Sequence, residues 1–272
     1  MKYKIFLVLI CFVFLAACGG SIADTMPPEM AKNMLKLKGY DFDEKNYFQA
    51  IKNDDVPAVK AFFDAEINPN ARNEKGETPL TFAVRNSEFK TIKVLAEKTN
   101  ISEQDALGQT PLHLALSNNK EEIFDYFLEQ GADVNVGGAK GKLKNQTVLY
   151  LAVTRGRKDL AQKLLKRGAN PNIADSEGGT VLSEACIGAP VNPEIIKMLI
   201  EKGANVNQKE SNGATPLIYI AANKQTASDN RRTVVKMLLD AGADKKAKDK
   251  DGKTALDWAK EMENKDVTDL LK

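Results

Sequence analysis

The sequence predicts an all-α solenoid, and three observations carry that class. A threonine followed by a short apolar run recurs as Thr78, Thr110, Thr147, Thr180, Thr215 and Thr254, at intervals (by subtraction) of 32, 37, 33, 35 and 39 residues. A Gly-Ala pair recurs at Gly131, Gly168, Gly203 and Gly242, each shortly after an apolar pair such as Leu164-Leu165 or Leu238-Leu239. Aromatic residues make up only 7% of the chain, which favours short, closely packed helices over stacked sheets. A repeat of this length marks an array in which each unit leans on its neighbours.

Residues 1–46 precede that array. Lys2 and Lys4 stand before Ile5–Ala17, a thirteen-residue run without a charge. The run is short of the roughly 20 residues a permanent bilayer-spanning helix needs, and it fits the apolar region of a secretion signal. Leu15-Ala16-Ala17 then lead into Cys18, Gly19, Gly20 and Ser21. This ending resembles a bacterial lipobox, whose cysteine is acylated and becomes the mature N-terminus. The resemblance implies a lipoprotein signal peptide over residues 1–17 and a lipidated tether over 18–26, with Cys18 as the lipidation site. Gly19 carries no inner-membrane retention signal, so the implied address is the outer membrane, facing the periplasm. Residues 27–46 read as a capping helix with its lead-in, Met30, Met34, Leu35 and Leu37 supplying the apolar residues, and 47–272 as the array.

The unit is clearest from Asp105 to Asn135. Gly108 permits a tight turn, Thr110 can cap a helix, and Pro111 sits at the first helical position, where its missing donor does no harm. Leu112, Leu114, Ala115 and Leu116 give a first helix its apolar side, and Ile123, Phe124, Phe127 and Leu128 recur at helical spacing in a second. Gly131 supplies a left-handed stop. With Thr-Pro-Leu-His and Gly-Ala-Asp-x-Asn both intact, this stretch resembles the ankyrin repeat. The resemblance covers about 47–272 and implies some seven helix-turn-helix units joined by short hairpin turns.

Departures from the pattern carry expectations of their own. Glu66 stands where glycine ends the first unit, which reads as a terminal repeat, and Lys98 stands there in the second, whose helix must end differently. Val148, Val181 and Ala255 replace the proline, a tolerable loss. Leu80, Leu112, Leu149, Leu182, Leu217 and Leu256 are expected to form one ridge between neighbouring units. Two insertions, within Val136–Asn145 (carrying Lys140, Lys142 and Lys144) and over Asn223–Arg232, read as surface loops on which specificity can sit; drift of a surface loop is the competing reading.

Composition and side-chain chemistry narrow the function. Removing Lys2 and Lys4 from the 39 basic residues leaves 37 against 37 acidic ones, so the chain has no general electrostatic claim on nucleic acid. The single histidine, His113, belongs to the Thr-Pro-Leu-His turn, and Cys186 lies in an apolar helical pattern. No Cys/His cluster offers a zinc site. The glycine-rich stretch after Gly137 lacks phosphate-loop spacing, and Ala247 to Trp258 lacks the anchoring carboxylates of a calcium loop. No cofactor and no enzymatic activity are expected.

Binding remains. The ankyrin resemblance implies a protein partner that meets the turn tips and the exposed side of the first helices, a concave face. Carried onto this chain, those positions are Glu74, Lys75, Glu77, Arg85 and Asn86; Leu107, Gln109, Ser117 and Asn118; Lys144, Gln146, Thr154 and Arg155; and Glu177 and Ile187. Charge reversal at Arg85 and Arg155 is expected to weaken the partner without unfolding the stack. The reading is a monomeric, membrane-anchored periplasmic scaffold. Its alternatives are an immunity protein neutralising a toxic effector, a glycan- or peptidoglycan-binding anchor, and, from a different class, an envelope hydrolase.

Overall fold

The computed structural model describes residues 25–138, 145–188 and 190–272. Among them fifteen helices follow one another and no strand occurs. Helix α1 (Pro28–Leu37) stands before seven helix pairs: α2 (Glu44–Lys52) with α3 (Val56–Asp64), α4 (Pro79–Asn86) with α5 (Phe89–Ala96), α6 (Pro111–Ser117) with α7 (Glu121–Glu129), and α8 (Val148–Thr154) with α9 (Lys158–Lys166). The series continues with α10 (Val181–Ile187) and α11 (Pro193–Glu201), α12 (Pro216–Ala222) and α13 (Ser228–Asp240), and α14 (Ala255–Glu261) and α15 (Thr268–Leu271). The signal, Cys18 and the lysines of the first insertion, Lys140, Lys142 and Lys144, lie outside the described residues.

The recurring threonines start the first helix of the second to seventh pairs, as their capping chemistry requires, while Asp43 caps α2. Thr78 Oγ1 accepts the Thr81 amide at 3.2 Å and Thr110 Oγ1 the His113 amide at 3.3 Å, and the third helical residue's side chain returns a bond to the cap in units two, three, five and seven. Val148, Val181 and Ala255 begin their helices at the same place without proline. Glycines 131, 168, 203 and 242 close second helices with φ between 79° and 88°. Glu66 adopts the same left-handed backbone at φ 66°, at a local cost a glycine would avoid. The helix before Lys98 does end differently: Thr99 donates both its amide and its hydroxyl to the Leu95 carbonyl, each at 2.9 Å.

Packing follows from this grammar. The first helices α2, α4, α6, α8, α10, α12 and α14 form an inner row in which each contacts the next, while the second helices form an outer row. Leu80, Leu112, Leu149, Leu182 and Leu217 lie between inner helices, each at most 1% exposed. Burying such a side chain stabilises by about 1.5–3 kcal/mol, so the ridge ties the units into one core. Leu256 departs from expectation: it is half-buried, because α14 has an inner-row neighbour on one side only.

Two further expectations need correction. Helix α1 does cap the array, packing on α3, but through Ala31 and Leu35, both fully buried. Met34 is half-buried, whereas Met30 and Leu37 face outward. The insertion at Asn223–Arg232 is not a free loop between helices. Its second half is the first turn of α13, lengthening that helix to 13 residues. Arg231 is buried there, its guanidinium donating to the carbonyls of Asn223 (3.0 Å) and Thr226 (2.7 Å) and to Asp266 Oδ1 (2.6 Å) in the seventh unit. The insertion is a seam between the last two units.

Candidate partner-binding face

The surface along the inner row is assembled from hairpin tips and the C-terminal turns of the first helices. One side chain shapes each regular tip. Asp105 Oδ1 accepts the amides of Leu107 and Gln109, both at 2.9 Å, and Asn73, Asp175 and Asp249 bond their own tips in the same way. Successive tips then touch: the Ala106 amide donates to the Gly76 carbonyl (2.9 Å), Ser211 to Glu177 (2.7 Å) and Lys250 to Asn212 (2.9 Å). Gly76 has φ 71°, and a Cβ there would fall 2.5 Å from the Ala106 Cβ, so this approach needs glycine. At the first insertion the stack is modified. Asn145 donates to the Gly138 carbonyl at 2.6 Å and Gly138 to the Gln146 carbonyl at 3.0 Å, which joins the third unit's end to the fourth unit's tip.

The anticipated contact residues divide into two groups. Glu74, Lys75, Asn86, Asn118, Thr154, Arg155 and Glu177 are exposed, and the apolar Leu107 and Ile187 are 58% and 42% exposed. Ser117 and Gln146 are half-buried. Arg85, by contrast, is a brace. Its guanidinium donates to Glu77 Oε1 (2.5 Å), Asp105 Oδ2 (3.1 Å) and Gln109 Oε1 (2.9 Å), joining the second and third units. The Asp105 side chain is only 2% exposed. Arg85, Glu77 and Gln109 are therefore committed to one another, and reversing Arg85 would set three acidic groups together. Reversal of Arg85, expected to act on the partner without unfolding the stack, therefore also loads the joint between the second and third units. Lys144 lies outside the described residues.

His113 is also structural. Its Nε2 faces the Gln146 carbonyl at 3.2 Å, which can only accept, so Nε2 carries the proton and Nδ1 accepts from the Thr110 hydroxyl at 2.7 Å. Burial holds the imidazole below its ordinary value of 6.5, against a smaller opposing pull from the Gln146 carbonyl. Tyr150 occupies the same position one unit later and also reaches forward, donating to Glu184 Oε1 at 2.7 Å. Tyr219 binds Glu210 and accepts from Asn212 Nδ2 at 2.9 Å. Burial, then the neighbouring carboxylate, raises both phenols. Cys186 is buried, which pushes its thiol up and away from nucleophilic use. Among the described residues no group of His, Cys, Asp and Glu is placed to hold a metal ion.

Sequence reasoning missed a ladder of amides at the unit ends. Asn135 Nδ2 donates to the Gly168 carbonyl (3.2 Å) while its Oδ1 accepts the Asn170 amide (2.8 Å). Asn172 repeats this with Gly203 and Asn205, and Asn207 with Gly242 and Asp244. Each asparagine thus satisfies an exposed helix-end carbonyl and an amide of the following unit. The signal was in the sequence: asparagine stands at this position as Asn70, Asn135, Asn172 and Asn207, with Ser102 in its place at the end of the second unit, where its hydroxyl accepts the Asp133 amide (2.9 Å), and Lys246 at the end of the sixth.

A family model for ankyrin repeats matches the chain in three copies, over residues 47–138, 136–210 and 191–272. The chain belongs to the ankyrin-repeat family. It is similar to BRCA1-associated RING domain protein 1 of Caenorhabditis elegans, 32% identical over 96 residues, which is 34% of this chain and 13% of that protein. A putative ankyrin repeat protein of Rickettsia bellii is 32% identical over 76 residues, 28% of this chain and 47% of that one. The chain thus spans less than half the length of either relative. In fold it is similar to the crystal structure of the ankyrin repeat domain of Bcl-3, with a TM-score of 0.67 and 24% identity, covering 83% of this chain and 96% of that one. As an ankyrin array the molecule is a protein-interaction scaffold.

Proposed function

We propose that the protein is a lipid-anchored scaffold of the bacterial envelope that holds a partner protein against its inner row. The observation that supports this most is the pair of exposed apolar side chains, Leu107 on a tip and Ile187 at the end of α10, set among polar neighbours. An apolar centre with a wet rim is the anatomy of an interface. The anchor is Cys18, and the address is the outer membrane, facing the periplasm. Acyl chains contribute about 0.8 kcal/mol per buried methylene, so several on one cysteine hold the array at the bilayer.

Two experiments test the two halves of this reading. Affinity capture from envelope extract with the wild-type chain and with Leu107→Asp/Ile187→Asp, read by mass spectrometry, should show one dominant protein lost in the variant; equal recovery by both chains contradicts the assignment of the face. Fractionation of cells carrying Cys18→Ser should move the protein out of the membrane pellet, and an unchanged distribution contradicts the anchor.

A further inference from the structure

Helix α1 has two apolar sides where a cap needs one. Ala31 and Leu35 dock on α3 and are fully buried. Met30, Met34 and Leu37 recur at i, i+4 and i+7 and share another face. Leu37 is 70% exposed, more than any other large apolar side chain among the described residues, and Met30 is 41% exposed. The end of a repeat array normally turns a polar face to water. Here the end exposes Met30 and Leu37 on either side of Met34, which is half-buried against the core, as one apolar stripe.

The chain upstream says what covers it. Pro28 follows Cys18 by ten residues, a reach of at most about 35 Å at 3.3–3.6 Å per residue. Nearby charge also suits a phospholipid surface. Glu29 is occupied by Lys32 at 3.0 Å and Lys38 by Asp55 at 2.9 Å, while Lys36, beside Leu37, is exposed and makes no ion pair among the described residues. A lysine next to an apolar stripe can lay its stem on the acyl boundary and keep its ammonium among headgroups.

We infer that the Met30–Met34–Leu37 stripe of α1 lies on the phospholipid bilayer and fixes the orientation of the array. The inference rests on the proposed anchoring at Cys18. Three side chains on a ten-residue helix are too few to hold a free protein on a membrane. On a short tether they need not, because the effective concentration of the surface is on the order of millimolar or more. Since α1 packs on α3, an outer-row helix, a bilayer under α1 leaves the inner row open to its partner.

The test uses the full lipidated chain in vesicles of phosphatidylethanolamine and phosphatidylglycerol, labelled with an environment-sensitive dye at Leu37→Cys or, on a tip of the seventh unit, Asp251→Cys. Cys186 is fully buried and does not compete for label. The dye at position 37 should shift to the blue and be quenched several-fold more by spin-labelled lipid than the dye at 251. Equal, water-like signals from a chain whose mass shows lipid on Cys18 overturn this inference and leave the anchor standing; a mass without lipid removes the anchor itself. Shielding of position 37 that grows with protein concentration in the absence of vesicles would assign the stripe to a second copy and overturn the membrane contact. Unlabelled Met30→Asp/Leu37→Asp, which spares the α1–α3 packing, should open α1 to protease on vesicles; equal cleavage of variant and wild type also counts against it.

Discussion

Arg85 and Arg155 occupy adjacent positions of the repeat, yet the structure gives them different work. Arg85 spans Glu77, Asp105 and Gln109 across two units, whereas Arg155 is exposed. Arg85→Glu leaves the buried Asp105 carboxylate without its cation and should cost about 3 kcal/mol, read as an earlier urea midpoint. Arg155→Glu should stay within about 0.5 kcal/mol of wild type, which makes it the cleaner probe of binding. His113 adds a pH dependence. Its folded form resists the proton that the unfolded chain accepts, so the stability it contributes is full above its ordinary value of 6.5 and is lost as the pH falls below it. Protonating Nδ1 would also end its acceptance from Thr110. The melting temperature should therefore fall from about pH 7.5 to about pH 5.5, and His113→Gln should flatten that change. An identical slope in both proteins would remove His113 as its source.

Between elements, coupling is carried by side chains that reach from one unit to the next. Asn172→Ala removes a bond to the Gly203 carbonyl and one from the Asn205 amide; water replaces part of each, leaving a loss of about 1 kcal/mol. Lys246→Ala, at the equivalent place at the end of the sixth unit, should be neutral by the same denaturation assay. Arg231→Met tests the seam. It strips Asp266 of its buried partner and should open α14 and α15 to hydrogen exchange ahead of the rest of the array, as expected of a stack held by nearest-neighbour contacts. Uniform exchange across all units would show that the seam carries no separate coupling.

Over the whole molecule, the array was legible because its period rests on strictly local chemistry: threonine caps, turn glycines and apolar residues at helical spacing. The ridge from Leu80 to Leu217 followed from the same period. What escaped was polar contact between units. Arg85 reads as a surface charge until Asp105, one unit on, is seen beneath it, and Arg231 reads as part of a polar insertion until Asp266 meets it. The amide ladder was visible only as a recurring asparagine, with no local clue that its partners lie in the following unit. Surface positions such as Leu107, Ile187 and Arg155 were legible as exposed, since they follow directly from turn and helix register. The proposed function depends on that inner-row surface being where a partner sits. Photo-crosslinking amino acids placed one at a time in living cells, at Leu107, Arg155 and Ile187 on the inner row and at Glu122, Lys166 and Lys197 on the outer row, test it most directly. The account predicts a common crosslinked partner from the three inner positions and none from the outer ones. The same partner captured only from the outer row would contradict it.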